Sequence, residues 1–148
     1  MRDNNWLEEK MYDLWEEYFA DVPRKNLVII KFGRNAKRQL GCITWATNKT
    51  RGIQKYLKAN DYQDHKKVSV IRITSKFKDE KIPEKVVLGT IAHEMCHYAH
   101  GFNSPLKQIY NHPHKGGVIK KEMEKRELGD IYHFSKKWIK ANWEKHIR

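Results

Sequence analysis

Cysteine is scarce in this chain: Cys42 and Cys96 are the only two among 148 residues. Two thiols cannot build a disulfide framework, nor can they supply a four-cysteine zinc ribbon. Long apolar runs are also missing. No stretch approaches the roughly 20 apolar residues that span a bilayer, and the opening residues Met1-Arg2-Asp3-Asn4-Asn5-Trp6 carry no apolar leader core. Internal repeats and low-complexity segments are absent as well. These absences predict one soluble domain over residues 1–148. It is expected to be monomeric, not secreted and without membrane contact, and to reside in the cytoplasm or with the nucleus or nucleoid.

Acid is scarce beyond the first 21 residues. That segment holds Arg2 and Lys10 against Asp3, Glu8, Glu9, Asp13, Glu16, Glu17 and Asp21, yet the whole chain has a formal charge of +12. The body of the protein is therefore strongly basic. Such a body is attracted to polyanions, of which nucleic acid is the commonest inside a cell, although lysine-rich surfaces also serve solubility alone.

What is present is a short core-forming sequence with 39% hydrophobic residues, including five Trp, seven Tyr and five Phe. Trp6, Leu7, Met11, Leu14, Trp15, Tyr18 and Phe19 recur at helical spacing, with Asn4 or Asn5 as cap, Pro23 as stop and an acidic outer face. Residues 27–32, 40–45 and 68–73 read as strands, the last richest in β-branched residues. Residues 46–67 are polar and read as a long hairpin arm or loop. Pro83 suits the first turn of a helix running to a stop at Gly101. A loop over residues 102–116 precedes a charged helix from about Val118 to Leu128, ended by Gly129. A final helix is marked by Phe134, Trp138, Ile139 and Trp143. The predicted class is α+β: a helix on a three-stranded, mostly antiparallel sheet, then three more helices.

The chemistry lies in the helix between Pro83 and Gly101. It is apolar on nearly every face and therefore predicted to be buried, yet it contains His93-Glu94-Met95-Cys96-His97. Imidazoles four residues apart project from one helix face and can grip one zinc ion at about 2.0–2.1 Å. Glu94, adjacent to the first ligand, points beside the ion. There it can take a proton from a zinc-activated water and pass it to a leaving amine. Gln at 94 could not shuttle that proton, and Lys at 93 or 97 could not bind the ion. His-Glu-x-x-His does recur by chance on solvent-facing helices rich in His and Glu. Here, however, these three are the only strongly polar side chains between Val86 and Ala99, and isolated ionisable groups are costly to bury unless paired or ligated.

A catalytic zinc takes three protein ligands and keeps one position open. A third ligand in a His-x-x-Gly-x-x-His pattern is excluded, because His100 and Asn103 stand at the required Gly and His positions. His100, on the same helix, cannot easily reach the same ion. His112 and His114 in the following loop, His133 at the start of the last helix, and Glu127 all remain candidates on spacing alone.

From about Met11 to Trp138 the chain resembles the SprT-like metallopeptidases. Leu14-Trp15-Glu16-Glu17-Tyr18-Phe19 is similar to that family's opening helix. Arg38-Gln39-Leu40-Gly41 is similar to its Arg-x-x-Gly lead-in to a strand, and Ile71-Arg72-Ile73-Thr74 to its strand before the active helix. Thr90-Ile91-Ala92-His93-Glu94-Met95-Cys96-His97-Tyr98 closely matches its helix motif. Pro113-His114-Lys115-Gly116 is similar to its segment carrying the third ligand, with Lys115 where the family usually has Gly. The resemblance implies a zincin-like minimal metallopeptidase fold. It implies Zn2+ held by His93, His97 and His114 with Glu94 as base, and protein substrates, some of them crosslinked to DNA. The cysteine-rich ribbon that many members carry after the peptidase domain is lacking, so DNA contact is expected from the domain's own surface. Candidate phosphate contacts are Arg34, Lys37, Arg38, Lys49, Arg51, Lys55, Lys58, Lys66, Lys67, Lys136, Lys137 and Lys140. Trp45, Tyr56 and Tyr62 are candidate base-stacking residues, with a core role for Trp45 the plainer alternative. Tyr110, Tyr132 and His133 are candidates to steady the oxyanion.

Two other readings compete. One is a basic nucleic-acid-binding module with a structural or vestigial zinc site, for which the intact Glu94 has no use. The other is a metallopeptidase with no link to nucleic acid.

Overall fold

The computed structural model describes residues 1–55 and 67–147. Tyr56, Lys58, Tyr62 and Lys66, and half of the polar connection between the second and third strands, lie outside those residues. Among the described part of that connection, residues 48–52 are turns and bends and 53–55 are helical.

Helix α1 runs Asn4–Tyr18 and buries Leu7, Met11, Leu14 and Trp15, while Glu9, Asp13, Glu16 and Glu17 stay exposed. Its cap is Asp3, whose carboxylate accepts from Trp6 N at 2.8 Å, rather than the expected Asn4 or Asn5. Asn4 is occupied elsewhere: its side chain accepts from Phe32 N at 2.8 Å and fastens the helix start to the end of the first strand. Arg2 is buried, and its guanidinium donates to the carbonyls of Phe77, Asp79 and Ile82.

The strands are β1 (Leu27–Phe32), β2 (Gly41–Trp45) and β3 (Val68–Ile73), in the spatial order β1-β3-β2. The expected mostly antiparallel arrangement is corrected here. β3 pairs antiparallel with β2 but parallel with β1, so the sheet is mixed. The physical reason lies in β3, whose residues are buried except for half-buried Arg72, so it takes the centre of the sheet. Residues 33–40 are then long enough to carry the chain past a central strand, a step of about 10 Å. The return from β1 to parallel β3 passes through β2 instead of a crossover helix.

Alternation along the strands divides the interior. Val28, Ile30, Ile43, Ile71 and Ile73 face the main core, and Ile29, Val68 and Val70 form a smaller cluster with Ala46 and Ile53 on the other face. Helix α2 (Glu84–Ala99) fills the centre of the main core, packing against α1, the sheet and both later helices. Val86, Val87, Ile91, Ala92, Met95, Cys96 and Tyr98 are all essentially inaccessible, as a helix apolar all round requires. Gly101, at φ +84°, turns the chain out of this helix, as expected.

Helix α3 (Val118–Lys125) is shorter than expected, and Gly129 opens helix α4 (Gly129–Ile147) instead of closing α3. The left-handed stop is taken by Glu127 at φ 64°, and Leu128 N returns to Met123 O at 2.8 Å. Gly89 lets α4 cross α2 closely, because a Cβ there would collide with Ser135 Oγ. Among the described residues no helix is long and apolar enough to cross a membrane.

Candidate metal centre

His93 and His97 stand one turn apart on α2, and the chain leaves that helix at Gly101 into the loop that returns His114 over it. His114 Nε2 lies 3.3 Å from His93 Nε2 and 3.0 Å from His97 Nε2. The candidate ligand atoms of these three residues lie within 4.8 Å of one another. A tetrahedral ion with bonds of about 2.0–2.1 Å holds its nitrogens about 3.3–3.4 Å apart. The two edges that meet at His114 are close to that ideal, and the three imidazoles together could hold one metal ion.

The other candidates stay apart from this group. His100 is buried three residues on, and its Nε2 meets Glu122 Oε1 at 2.9 Å. His112, His133 and Glu127 are exposed and do not join the cluster.

Electrostatics favour neutral donors. Burial, with the neighbouring charges of His114 and Lys136, pushes His93 down to about 4. Burial, with His93, His114 and His100, pushes His97 down to about 3. Both rings are thus deprotonated at neutral pH, the state that ligates metal. Burial alone raises Glu94 to about 8, so without a cation it keeps its proton. A divalent ion beside it would favour the carboxylate.

Glu94 reaches toward β2 at Gly41. A Cβ on Gly41 would lie 3.1 Å from Glu94 Oε2 and 3.0 Å from Thr90 Cγ2. The absence of a side chain at 41 is what lets the strand approach the carboxyl group.

The three imidazoles and Glu94 form one wall of an open cleft. Leu40, Gly41, Cys42 and Ile43 supply the second wall, and Tyr132, Ser135, Lys136 and Ile139 of α4 the third. The β2 wall is a sheet edge. Leu40 O accepts from Thr74 N and Ala46 N donates to Val68 O, so the even-numbered residues of β2 bond inward to β3. The backbone groups of Gly41 and Ile43 therefore point into the cleft. Asn103 Nδ2 donates to the Ile43 carbonyl at 2.9 Å.

No family model, curated protein or solved structure matches this chain.

Of the three oxyanion candidates, only Tyr132 lines the cleft. Tyr110 packs its ring on His100, and His133 lies outside. Trp45 is half-buried and belongs to neither core cluster. Sequence reasoning missed Asn103, whose left-handed backbone (φ 50°) and cleft position leave no local signal beyond the preceding Gly101. It also missed the chain that runs from buried His100 through half-buried Glu122 and Arg126 to exposed Asp21 and ties α2 to α3 and to the end of α1. The i,i+4 spacing of Glu122 and Arg126 was its visible trace.

Proposed function

We propose that this chain is a zinc-dependent endopeptidase of the SprT-like, zincin-like type, acting on proteins associated with or crosslinked to DNA. The observation that carries this reading is the convergence of three imidazole nitrogens beside a buried carboxyl group, in a cleft walled by a strand edge. An all-imidazole set suits several transition metals. The acid on the same helix favours zinc hydrolysis, because a structural site would leave Glu94 without a task.

His93, His97 and His114 would hold the ion and leave one side open to the cleft. Zinc bound there supplies Lewis acidity toward water and the scissile carbonyl. An extended peptide fits along β2, its backbone paired with the outward groups of Gly41 and the Ile43 N–H, while Asn103 holds the Ile43 carbonyl. Glu94 takes the proton of the attacking water and delivers it to the departing amine. Tyr132 is the cleft hydroxyl available to the developing oxyanion. The basic body of the protein supports a nucleic-acid-associated substrate.

Digestion of casein and histone by the zinc-loaded protein, with and without DNA, tests this reading against Glu94→Gln. Cleavage by wild type and none by Glu94→Gln is expected. Equal cleavage by both, or none by either with zinc bound, would defeat it.

A further inference from the structure

A second charged site lies on the sheet face away from the metal centre. Lys31 and Arg72 are register partners across the parallel β1–β3 pair, so two like charges stand side by side on one face. That juxtaposition destabilises a sheet by itself. Arg34, Lys49 and Arg51 line the same groove from the turns after β1 and β2, and no acidic residue lines it. None of the five has a carboxylate partner among the described residues. The fixed contacts are to neutral groups: Lys31 Nζ donates to Arg51 O at 3.1 Å, and Arg72 Nη1 to Thr44 Oγ1 at 2.7 Å. Burial, with Arg72 and Arg51 nearby, holds Lys31 below its ordinary pKa.

We infer that this groove binds the phosphodiester backbone of a nucleic acid. The cations come from several separate chain segments instead of converging on one point, which suits a chain of phosphates better than a single anion. Three of the five are arginines, whose planar fork matches phosphate oxygens. Gly41 and Cys42 border both this groove and the metal cleft, so a bound strand lies across β2 from the imidazoles. A protein carried on that strand reaches the cleft. In this respect the inference deepens the proposed function, but binding does not need zinc, and the two fail separately.

The test uses metal-free Glu94→Gln protein and fluorescence anisotropy with a labelled single-stranded oligonucleotide, then its duplex, across a salt series. Lys31→Gln/Arg51→Gln is expected to weaken binding about tenfold at low salt and to flatten the log–log salt slope by about 1.4 for the single strand. Arg72 is left intact for its bond to Thr44. Arg34→Gln/Lys49→Gln, both at exposed turn positions, should give a similar loss with an unchanged melting temperature. Lys120→Gln/Lys121→Gln on the outer side of α3 should bind within twofold of the parent, about the scatter expected of unrelated surface sites. A preference between the arms identifies the form of nucleic acid. Unchanged binding by both groove variants, or full displacement by millimolar inorganic phosphate or by poly-glutamate, would overturn the inference.

Discussion

The helix-covered face of the sheet and its outer face treat ionisable groups in opposite ways. On the covered side, burial drives His93 and His97 to about 4 and 3 and Glu94 to about 8, so all three are neutral at pH 7 until an ion arrives. On the outer side, Lys31 and Arg72 are half-buried and adjacent, with solvent access for their charges. Neutral nitrogen donors suit a cation, and uncompensated cations suit an anion. One five-residue strand, β2, separates the two environments.

The largest effect that sharpens this contrast is at the ligands. His114→Ala should lower zinc affinity by more than the ~10–100-fold typical of changes outside the ligand shell. Chelator competition would measure this, and Lys31→Gln should leave that affinity untouched. Full zinc affinity in His114→Ala would remove His114 from the site. Next comes the half-buried Glu122, which faces both His100 and Arg126. Glu122→Gln breaks that pairing and should cost about 3 kcal/mol of stability in urea unfolding. It should also weaken zinc binding, because α3 begins just after His114 and is anchored through this residue.

Gly41→Ala targets the wall shared by both faces. Its Cβ would meet Glu94 Oε2 at 3.1 Å, so Glu94 must shift. The proposed peptidase activity should fall about 10–100-fold with zinc affinity unchanged, since a misplaced base costs rate without removing a ligand. Equal losses of zinc and activity would mean that Gly41 serves the fold and not the base.

The covered face also predicts a pH profile for the metal-free protein. Below pH 6.5 the unfolded chain takes up protons that the folded His93 and His97 refuse, so stability falls as pH drops from 6.5 toward 4. Above pH 6.5 the folded Glu94 still holds a proton that the unfolded chain has released, so stability also falls as pH rises toward 8. A stability maximum near pH 6.5 is expected, and Glu94→Gln should abolish the decline on the alkaline side. A flat profile in wild type would contradict the burial argument.

The covered side was far more legible in the sequence than the outer side. His93, Glu94 and His97 stood out because ionisable residues interrupt an otherwise apolar helix, and one-turn spacing fixes their common face. His114 was not legible from spacing. Its place depends on how a loop with Pro105 and Pro113 folds back, a long-range result to which only the resemblance in Pro113-His114 pointed. The strands were readable from β-branched runs, but their order was not, since pairing depends on which strand can tolerate burial on both faces. The Lys31–Arg72 adjacency follows from that order: 41 residues separate the two in the chain, and only the parallel β1–β3 register brings them together.

That adjacency yields the smallest and most discriminating effect. If the cations of the outer face are held there for a ligand, the folded protein carries their repulsion in the ligand's absence. Lys31→Gln keeps a donor for the Arg51 carbonyl and removes one of the two like charges, so it should stabilise the free protein by about 0.2–1 kcal/mol. The gain should shrink as salt screens the pair in wild type. The same substitution should weaken oligonucleotide binding. Stability and affinity moving in opposite directions would mark a site kept for binding. A loss of stability on Lys31→Gln would instead make Lys31 a structural residue, its stem and its bond to Arg51 outweighing the charge.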